Sequence, residues 1–417
     1  MKLIRAIKSG HPGALFSAFL YFDVSFMVWV ILGPLGVYIS QDLGLSAAQK
    51  GLLVAVPILG GALLRIPMGI LTDRIGPRRT GLTGLSLTLI PLVWGWLFAD
   101  ALGEVIVAGL LLGVAGASFA VALPMASRWY PPEHQGMAMG IAGAGNSGTI
   151  LTMLMAPRLA EYVGWHGVLG LAVFPILVTM GIFFLMAKES PKQPASKRLG
   201  EYLLPFRNKD AWWFNFFYGV TFGGFVGLAS FLVIFFHDQY GLSKVTAGTF
   251  AAACVFAGSF FRPVGGYLAD RFGGVNVLTV LYVWIGFMMT AVGLLPSLAV
   301  VTVLLFLGMM GLGMGNGAVF QIVPKRFGNQ IGVVTGMVGA AGGFGGFLLP
   351  TFLGSLKGLT GSFSAGFLFF GLIGFLSSVL LQSVYQKSWR RTWLVGPRPM
   401  AGLSPSGRVA MEVVFGG

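Results

Sequence analysis

Charge is what this sequence has least of. Only 10% of its 417 residues are Asp, Glu, Lys or Arg, where a soluble chain carries about a quarter. That scarcity excludes an ordinary soluble domain. Cysteine is nearly absent: Cys254 stands alone in an apolar segment, so no intrachain disulfide can form. The four histidines, His11, His134, His166 and His237, fall at or near predicted loops and show no ligand spacing. No metal and no cofactor is expected. No nucleophile–base constellation stands out either, so the chain does not read as an enzyme. The basic start "MKLIRAIKSGHPG" is followed by a long apolar stretch with no obvious small-residue cleavage site, so no secretory signal peptide is expected.

What the chain has in abundance is hydrophobic length. It is 56% hydrophobic, and apolar runs of about 20 residues, enough to cross a hydrocarbon core, recur along it. We read twelve spans, near 14–39, 50–71, 80–99, 103–127, 136–157, 166–187, 211–237, 246–269, 275–296, 298–324, 332–356 and 363–386, numbered 1 to 12 below. They are expected to be helices, because backbone groups in lipid must be satisfied within the segment. The predicted fold class is an all-α membrane protein of twelve transmembrane helices in two six-helix, pseudo-symmetric halves.

The net charge of +14 raises the question of nucleic acid, but its distribution answers differently. With the N-terminus inside, 21 of the 27 basic residues fall on the cytoplasmic side, among them Arg74, Arg78, Arg79, Arg128, Arg271 and Arg326. Lys50, Arg158, Lys244 and Lys357 fall outside. This is the positive-inside pattern. It predicts a multi-pass protein of the cell membrane with both termini cytoplasmic and no nucleic-acid partner. The basic segment "KESPKQPASKRLGEYLLPFRNKD" (188–210) divides the spans six and six. The expected organisation is therefore a first half over 1–187, a cytoplasmic linker over 188–210, a second half over 211–386 and a cytoplasmic tail over 387–417. The tail is Pro/Gly-rich and expected to be poorly ordered, with Trp389 and Trp393 at the membrane surface.

The halves repeat at an offset of 197. Arg65 and Asp73 are eight residues apart, as are Arg262 and Asp270. "DRIG" (73–76) matches "DRFG" (270–273), Gly69 matches Gly266, and "AGNSG" (144–148) lies over "AGGFG" (341–345). Transporters are commonly built from such repeats, with substrate held at their interface.

Arg65 and Arg262 are the two basic residues that fall in neither side's loops. Eight residues from the loop aspartate place each roughly 12 Å inside the boundary. Such a charge costs about 2.5–3.5 kcal/mol to insert even on lenient scales, and arginine does not deprotonate in proteins. Its guanidinium is a planar fork suited to oxyanions. Two forks at matched depth, one per half, could grip a single anion. The plain alternative is that each snorkels or pairs with an acid. The acids within reach of spans are Asp23 and Glu161, too few to neutralise both arginines symmetrically.

"GMAMGIAGAGNSGTI" (136–150) and "GVVTGMVGAAGGFGGFLLP" (332–350) are too glycine-rich for ordinary helices. They lack a following G-K-[ST], which excludes a P-loop. Glycine there serves close helix packing or backbone approach to a ligand, and both readings stand. Asn146, whose amide can donate to an anion, is harder to assign to packing.

"GILTDRIGPRR", between spans 2 and 3, resembles the G-x3-D-R-x-G-R-R loop motif of the major facilitator superfamily, departing from it at Pro77. That resemblance covers all twelve spans and implies a gating role for Asp73, Arg74, Asp270 and Arg271. The paired arginines together with the two glycine-rich stretches resemble one branch specifically, the nitrate/nitrite porters. Carried over residue by residue, "FYGVTFGGF" (217–225) offers Tyr218 and Phe222, "GASFA" (116–120) offers Phe119, and "GMGNGAVFQ" (313–321) offers Asn316 and Phe320. Gly145 and Gly342 fall in the glycine signature. The resemblance implies aromatics that sandwich a planar anion and a tyrosine that helps fix an arginine. Among 36 Phe, core or lipid-facing packing is the alternative for each ring without the family match.

The substrate so implied is nitrate, with nitrite as a second candidate, moved by alternating access, and the carrier is expected to act as a monomer in the lipid bilayer. Nitrate is flat and monovalent, and is not protonated at biological pH. Asp23, in "YFDVSFMVWV", is either a helix-end aspartate near the surface or a protonatable group for proton coupling. The "FDVSFMVWV" start and the short chain look more like the proton-linked uptake branch. Proton-coupled nitrate uptake is therefore expected, against a nitrate/nitrite antiporter. An anion channel or an anion sensor would be a different class, and neither needs repeated halves with a gating-loop motif.

Overall fold

The computed structural model describes residues 7–189, 200, 204–327 and 331–390, and among them the chain is helical with no strand. Eleven helices are long and apolar enough to cross a membrane. One of these, Ala138–Met186, runs 49 residues. A continuous helix of that length would extend roughly 74 Å, more than twice a hydrocarbon core. It is two spans joined at Gly164, whose φ of 68° and ψ of 171° break the helix. Twelve crossings result, as the sequence predicts. Span ends mostly run a few residues past the apolar windows, because polar caps and loop residues extend them.

The repeat shows in the helix ends. Ser46 caps span 2 (Ala47–Ile75), accepting from the Gln49 amide at 3.4 Å. Ser243, 197 residues later, caps span 8 (Lys244–Phe272) by accepting from the Thr246 amide at 3.2 Å. Gly76 and Gly273 end the same two spans with φ of 91° and 87°, a conformation that glycine adopts without steric cost.

Four spans are interrupted near mid-bundle. Span 1 breaks between Trp29 and Leu32, span 4 between Gly116 and Phe119, and span 8 between Phe260 and Arg262. Span 5 passes through a 3-10 turn at Ala144–Ser147. Glycine contacts hold the helices close. A Cβ on Gly113 of span 4 would lie 2.2 Å from the Gly60 backbone of span 2. One on Gly313 of span 10 (Leu298–Phe327) would lie 2.1 Å from the Gly258 carbonyl of span 8.

Contacts between the first six spans and the last six gather at the middle and at the end expected to face outward. There Gly51 packs on Pro350 and Gly248 on Met153. Lys50 pairs with Asp238 at 2.7 Å, Arg158 donates to Thr249 at 3.0 Å, and Lys244 lies 3.9 Å over the Tyr38 ring. At the opposite end the described ion pairs stay within each set: Arg128 with Asp73 at 2.6 Å and Arg326 with Asp210 at 2.5 Å.

One expectation about the tail is corrected. Trp389 is not at the membrane surface: it is fully buried, stacks on Phe214 at 4.9 Å, and donates from Nε1 to Asp210 at 2.9 Å. The buried carboxylate and the ring beneath it capture the indole, so helical turns continue from span 12 (Ser364–Val384) through Trp389. Trp393, most of the tail and most of the linker lie outside the described residues.

Candidate functional site

Arg65 is 1% exposed although it is an arginine in an apolar helix. Its neighbourhood explains how it is kept there. At the break in span 4 the Ala120 amide donates to Ala117 instead of continuing the regular ladder. The Gly116 carbonyl then accepts from Arg65 Nε at 3.3 Å. Across the bundle, Nη1 donates to the Gly339 carbonyl in span 11 (Ile331–Thr360). Three rings surround the guanidinium: Trp29 at 5.5 Å, Phe119 at 5.4 Å and Phe222 at 4.9 Å. Trp29 is itself fixed by its Nε1 donating to the Pro57 carbonyl at 2.6 Å. Neither Asp23 nor Glu161 pairs with this arginine. Carbonyls and ring faces attract the cation and leave its full charge in place.

Arg262 stands at the break in span 8, with its guanidinium 6.0 Å from Phe119 and 5.6 Å from Phe320. The two arginines thus address one ring, Phe119, from opposite halves. Tyr218, fully buried in span 7 (Lys209–Tyr240), joins this cluster. Its ring stacks on Phe222 at 5.1 Å and meets Phe320 edge-on at 4.9 Å. Phe119 and Phe320 lie 6.2 Å apart. The structure therefore brings together Arg65, Arg262, Tyr218, Phe119, Phe222 and Phe320.

Hydrogen-bonding groups are left over in this region. Arg65 Nη2, Arg262 Nη1, the Tyr218 hydroxyl and both amide atoms of Asn316 are buried without a protein partner; so is Asn146 Oδ1, in the 3-10 turn of span 5. Buried polar groups are normally satisfied, and each exception calls for an explanation. Two guanidinium N–H groups and a phenol beside aromatic faces are the complement of a flat oxyanion: donors for its edge, rings for its faces. Asn316 sits one turn from Phe320 on the same face of span 10.

The remaining predicted residues have other duties. Gly342 lets Tyr218 and Phe222 sit close, since a Cβ there would come within 2.6 Å of the tyrosine ring and 2.9 Å of the Phe222 ring. Gly145 backs onto Phe22 and the Asp23 amide, so it packs spans 1 and 5 together and does not face the arginines. Asp73 and Asp270 lie in the last turns of spans 2 and 8 and not in loops; Asp73 reaches Arg128 just past span 4 and Asp270 accepts from Gln321 in span 10 at 2.9 Å, tying each helix end to its own half. Arg74 is exposed, and Arg271 lies 5.3 Å from the Phe272 ring. No group of metal-binding side chains occurs among the described residues.

Asp23 lies in the middle of the helix Pro12–Trp29 and is 9% exposed, not at a helix end. Ser147 donates to its Oδ1 at 2.6 Å. Ser147 follows Asn146 in the 3-10 turn of span 5, so the carboxylate is hydrogen-bonded to the residue next to that amide.

Sequence reasoning missed Trp29, Gly116 and Gly339. Gly116 and Gly339 stood inside stretches already singled out, yet their part is played by carbonyls, which leave no mark in residue type. Trp29 is one of ten tryptophans. Tyr21, 197 residues before Tyr218, also has a buried unpartnered hydroxyl, but it faces Phe183 and Gly84.

The Major Facilitator Superfamily model matches residues 15–350. A nitrite extrusion protein of Bacillus subtilis (strain 168) is 33% identical over 371 residues, covering 88% of this chain and 93% of that protein. The chain belongs to the nitrate/nitrite porter family of the Major Facilitator Superfamily. A probable nitrate transporter, NarT, of Staphylococcus aureus (strain N315) is 30% identical over 88% of this chain and 94% of its own length. Among solved structures, a bacterial homolog of the human lysosomal transporter Spinster, inward-facing and unoccupied, superposes with a TM-score of 0.65. It is 19% identical and covers 93% of this chain and 98% of that one. At that identity the match speaks for the fold alone.

Proposed function

We propose that this porter carries nitrate, with nitrite as a second substrate, through one site formed by Arg65 and Arg262. The observation that carries the reading is the pair itself: two guanidinium groups from equivalent positions share the Phe119 ring and keep unpartnered N–H groups beside Tyr218. Relatives named for nitrite extrusion and nitrate transport support the substrate class. Arg65 and Phe119 belong to residues 1–187, and Arg262, Tyr218, Phe222 and Phe320 to residues 211–386. An anion between them is released when the halves part. Lys50–Asp238 and Lys244–Tyr38 would hold the outer end shut while the inner end opens. The positive-inside pattern supports a cell-membrane orientation with both termini cytoplasmic.

The same reading makes the carrier proton-coupled. Nitrate entering a cell that is negative inside costs roughly 2.3 kcal/mol per 100 mV, so accumulation needs a co-transported cation or an exchanged anion. Asp23 is buried, hydrogen-bonded to Ser147 and next to the turn that carries Asn146. Protonation would remove its charge and change what it offers Ser147. The second reading is exchange of nitrate for nitrite, favoured by the name of the Bacillus relative. Proteoliposomes separate the two. The parent is expected to accumulate nitrate under a pH gradient that is acid outside. Asp23→Asn is expected to lose that accumulation while retaining nitrate–nitrite exchange across equilibrated membranes. Normal accumulation by Asp23→Asn removes Asp23 as the coupling group, and a parent that exchanges but never accumulates is an antiporter.

A further inference from the structure

A cavity of about 720 Å³ opens on the outside of the bundle, among exposed apolar side chains, where span 2 meets spans 7, 11 and 12. That lies within the usual range for ligand pockets, roughly 300–1,000 Å³. Gly219 and Ala341 line it, with Phe344 and Leu348 beside them and Leu63 on the opposite half. Along span 11 it runs from Met337 to Phe352, roughly 22 Å of helix. An apolar recess facing a bilayer is filled by lipid chains, and three features specify which lipid. Trp212, half-exposed at one end, marks the membrane–water interface. Arg207 and Lys209, both exposed, stand beside it at the end expected to be cytoplasmic. One turn deeper, Asn215 lines the cavity, 7% exposed, with its Oδ1 buried and unpartnered. A polar group at that depth matches the glycerol region of a phospholipid, below its phosphate.

We propose that this groove holds one acyl chain of an anionic glycerophospholipid of the cytoplasmic leaflet, its glycerol region at Asn215 and its headgroup at Arg207 and Lys209. The groove is not the anion site, but the two share a wall. Met337, Ala340 and Ala341 face the groove. From the same helix, Gly339 binds Arg65, Gly342 seats Tyr218, and Gly343 packs on Ala62. A chain in the groove backs the glycine-rich stretch against the arginine and bridges the two halves, so its departure would accompany their movement.

The test is native mass spectrometry of the full chain released from nanodiscs holding phosphatidylglycerol and phosphatidylcholine in equal amounts. The parent is expected to retain one phosphatidylglycerol in preference to phosphatidylcholine. Ala341→Phe, which fills the groove floor, should lose it. Arg207→Gln with Lys209→Gln should keep a lipid but lose preference, by roughly fivefold for each charge removed. Equal retention of the two lipids by the parent overturns the proposal, as does a dimer mass in place of a lipid adduct. If Ala341→Phe fails to elute as a folded protein, the double charge variant decides alone, and an unchanged preference there overturns the proposal. No arm depends on nitrate flux, so failure here is distinct from failure of the transport reading.

Discussion

Arg65→Lys is expected to weaken nitrate binding roughly ten- to hundredfold while conserving the charge. Lysine carries a point charge on a flexible stem. It cannot bond the Gly116 and Gly339 carbonyls as Arg65 does and still present a planar N–H edge to an anion. Charge-assisted hydrogen bonds of this kind are worth about 1.5–3 kcal/mol, which sets the range. Arg262→Lys should behave alike, because that guanidinium shares the Phe119 ring. Titrating purified protein with nitrate, with gel filtration to confirm folding, provides the check. If both single variants bind like the parent, the paired-arginine site is wrong.

Gly148→Ala is expected to abolish transport and lower the unfolding temperature. The added methyl would stand 1.9 Å from the Asp23 carbonyl oxygen and 2.8 Å from its carbon. Both are backbone atoms, and no rotamer change relieves the clash. Spans 1 and 5 must separate. The cost should exceed the usual 1–3 kcal/mol or so of overpacking, and the shift would move Ser147 off Asp23 and carry Asn146 with it. Gly181→Ala is the control: nothing lies within 4 Å of its added Cβ, and it should melt and transport like the parent. Parallel melting curves and flux assays read both variants, and a Gly148→Ala protein that transports normally would mean this crossing is not rigid.

Arg65 and Arg262 were legible in the sequence because a charge amid apolar residues is costly and because the 197-residue repeat showed each position twice. Asp73 and Asp270 stood out because the same repeat showed each position twice. The twelve spans followed from hydropathy, since lipid leaves helices as the default. The break at Ala117–Ser118 was not legible: neither residue interrupts a helix by type, and the irregularity is held by Arg65 drawing on the Gly116 carbonyl. The bond from Ser147 to Asp23 joins residues 124 apart, and no local pattern announces it. Gly145 and Gly342 looked equivalent in the glycine-rich stretches, yet one packs on span 1 and the other seats the site's aromatic rings. What neighbours a glycine is a tertiary fact. Trp389 looked like an interfacial tryptophan until Asp210 supplied a buried acceptor.

Counterflow in proteoliposomes of the purified parent tests the central claim most directly. Vesicles are preloaded with unlabelled nitrate and diluted into a trace of isotopically labelled nitrate. A single site exposed alternately to each side predicts that the label enters transiently above its equilibrium level, and that the overshoot vanishes without internal nitrate. Label entry that is indifferent to internal nitrate, rising only to equilibrium, would describe a channel and contradict the account.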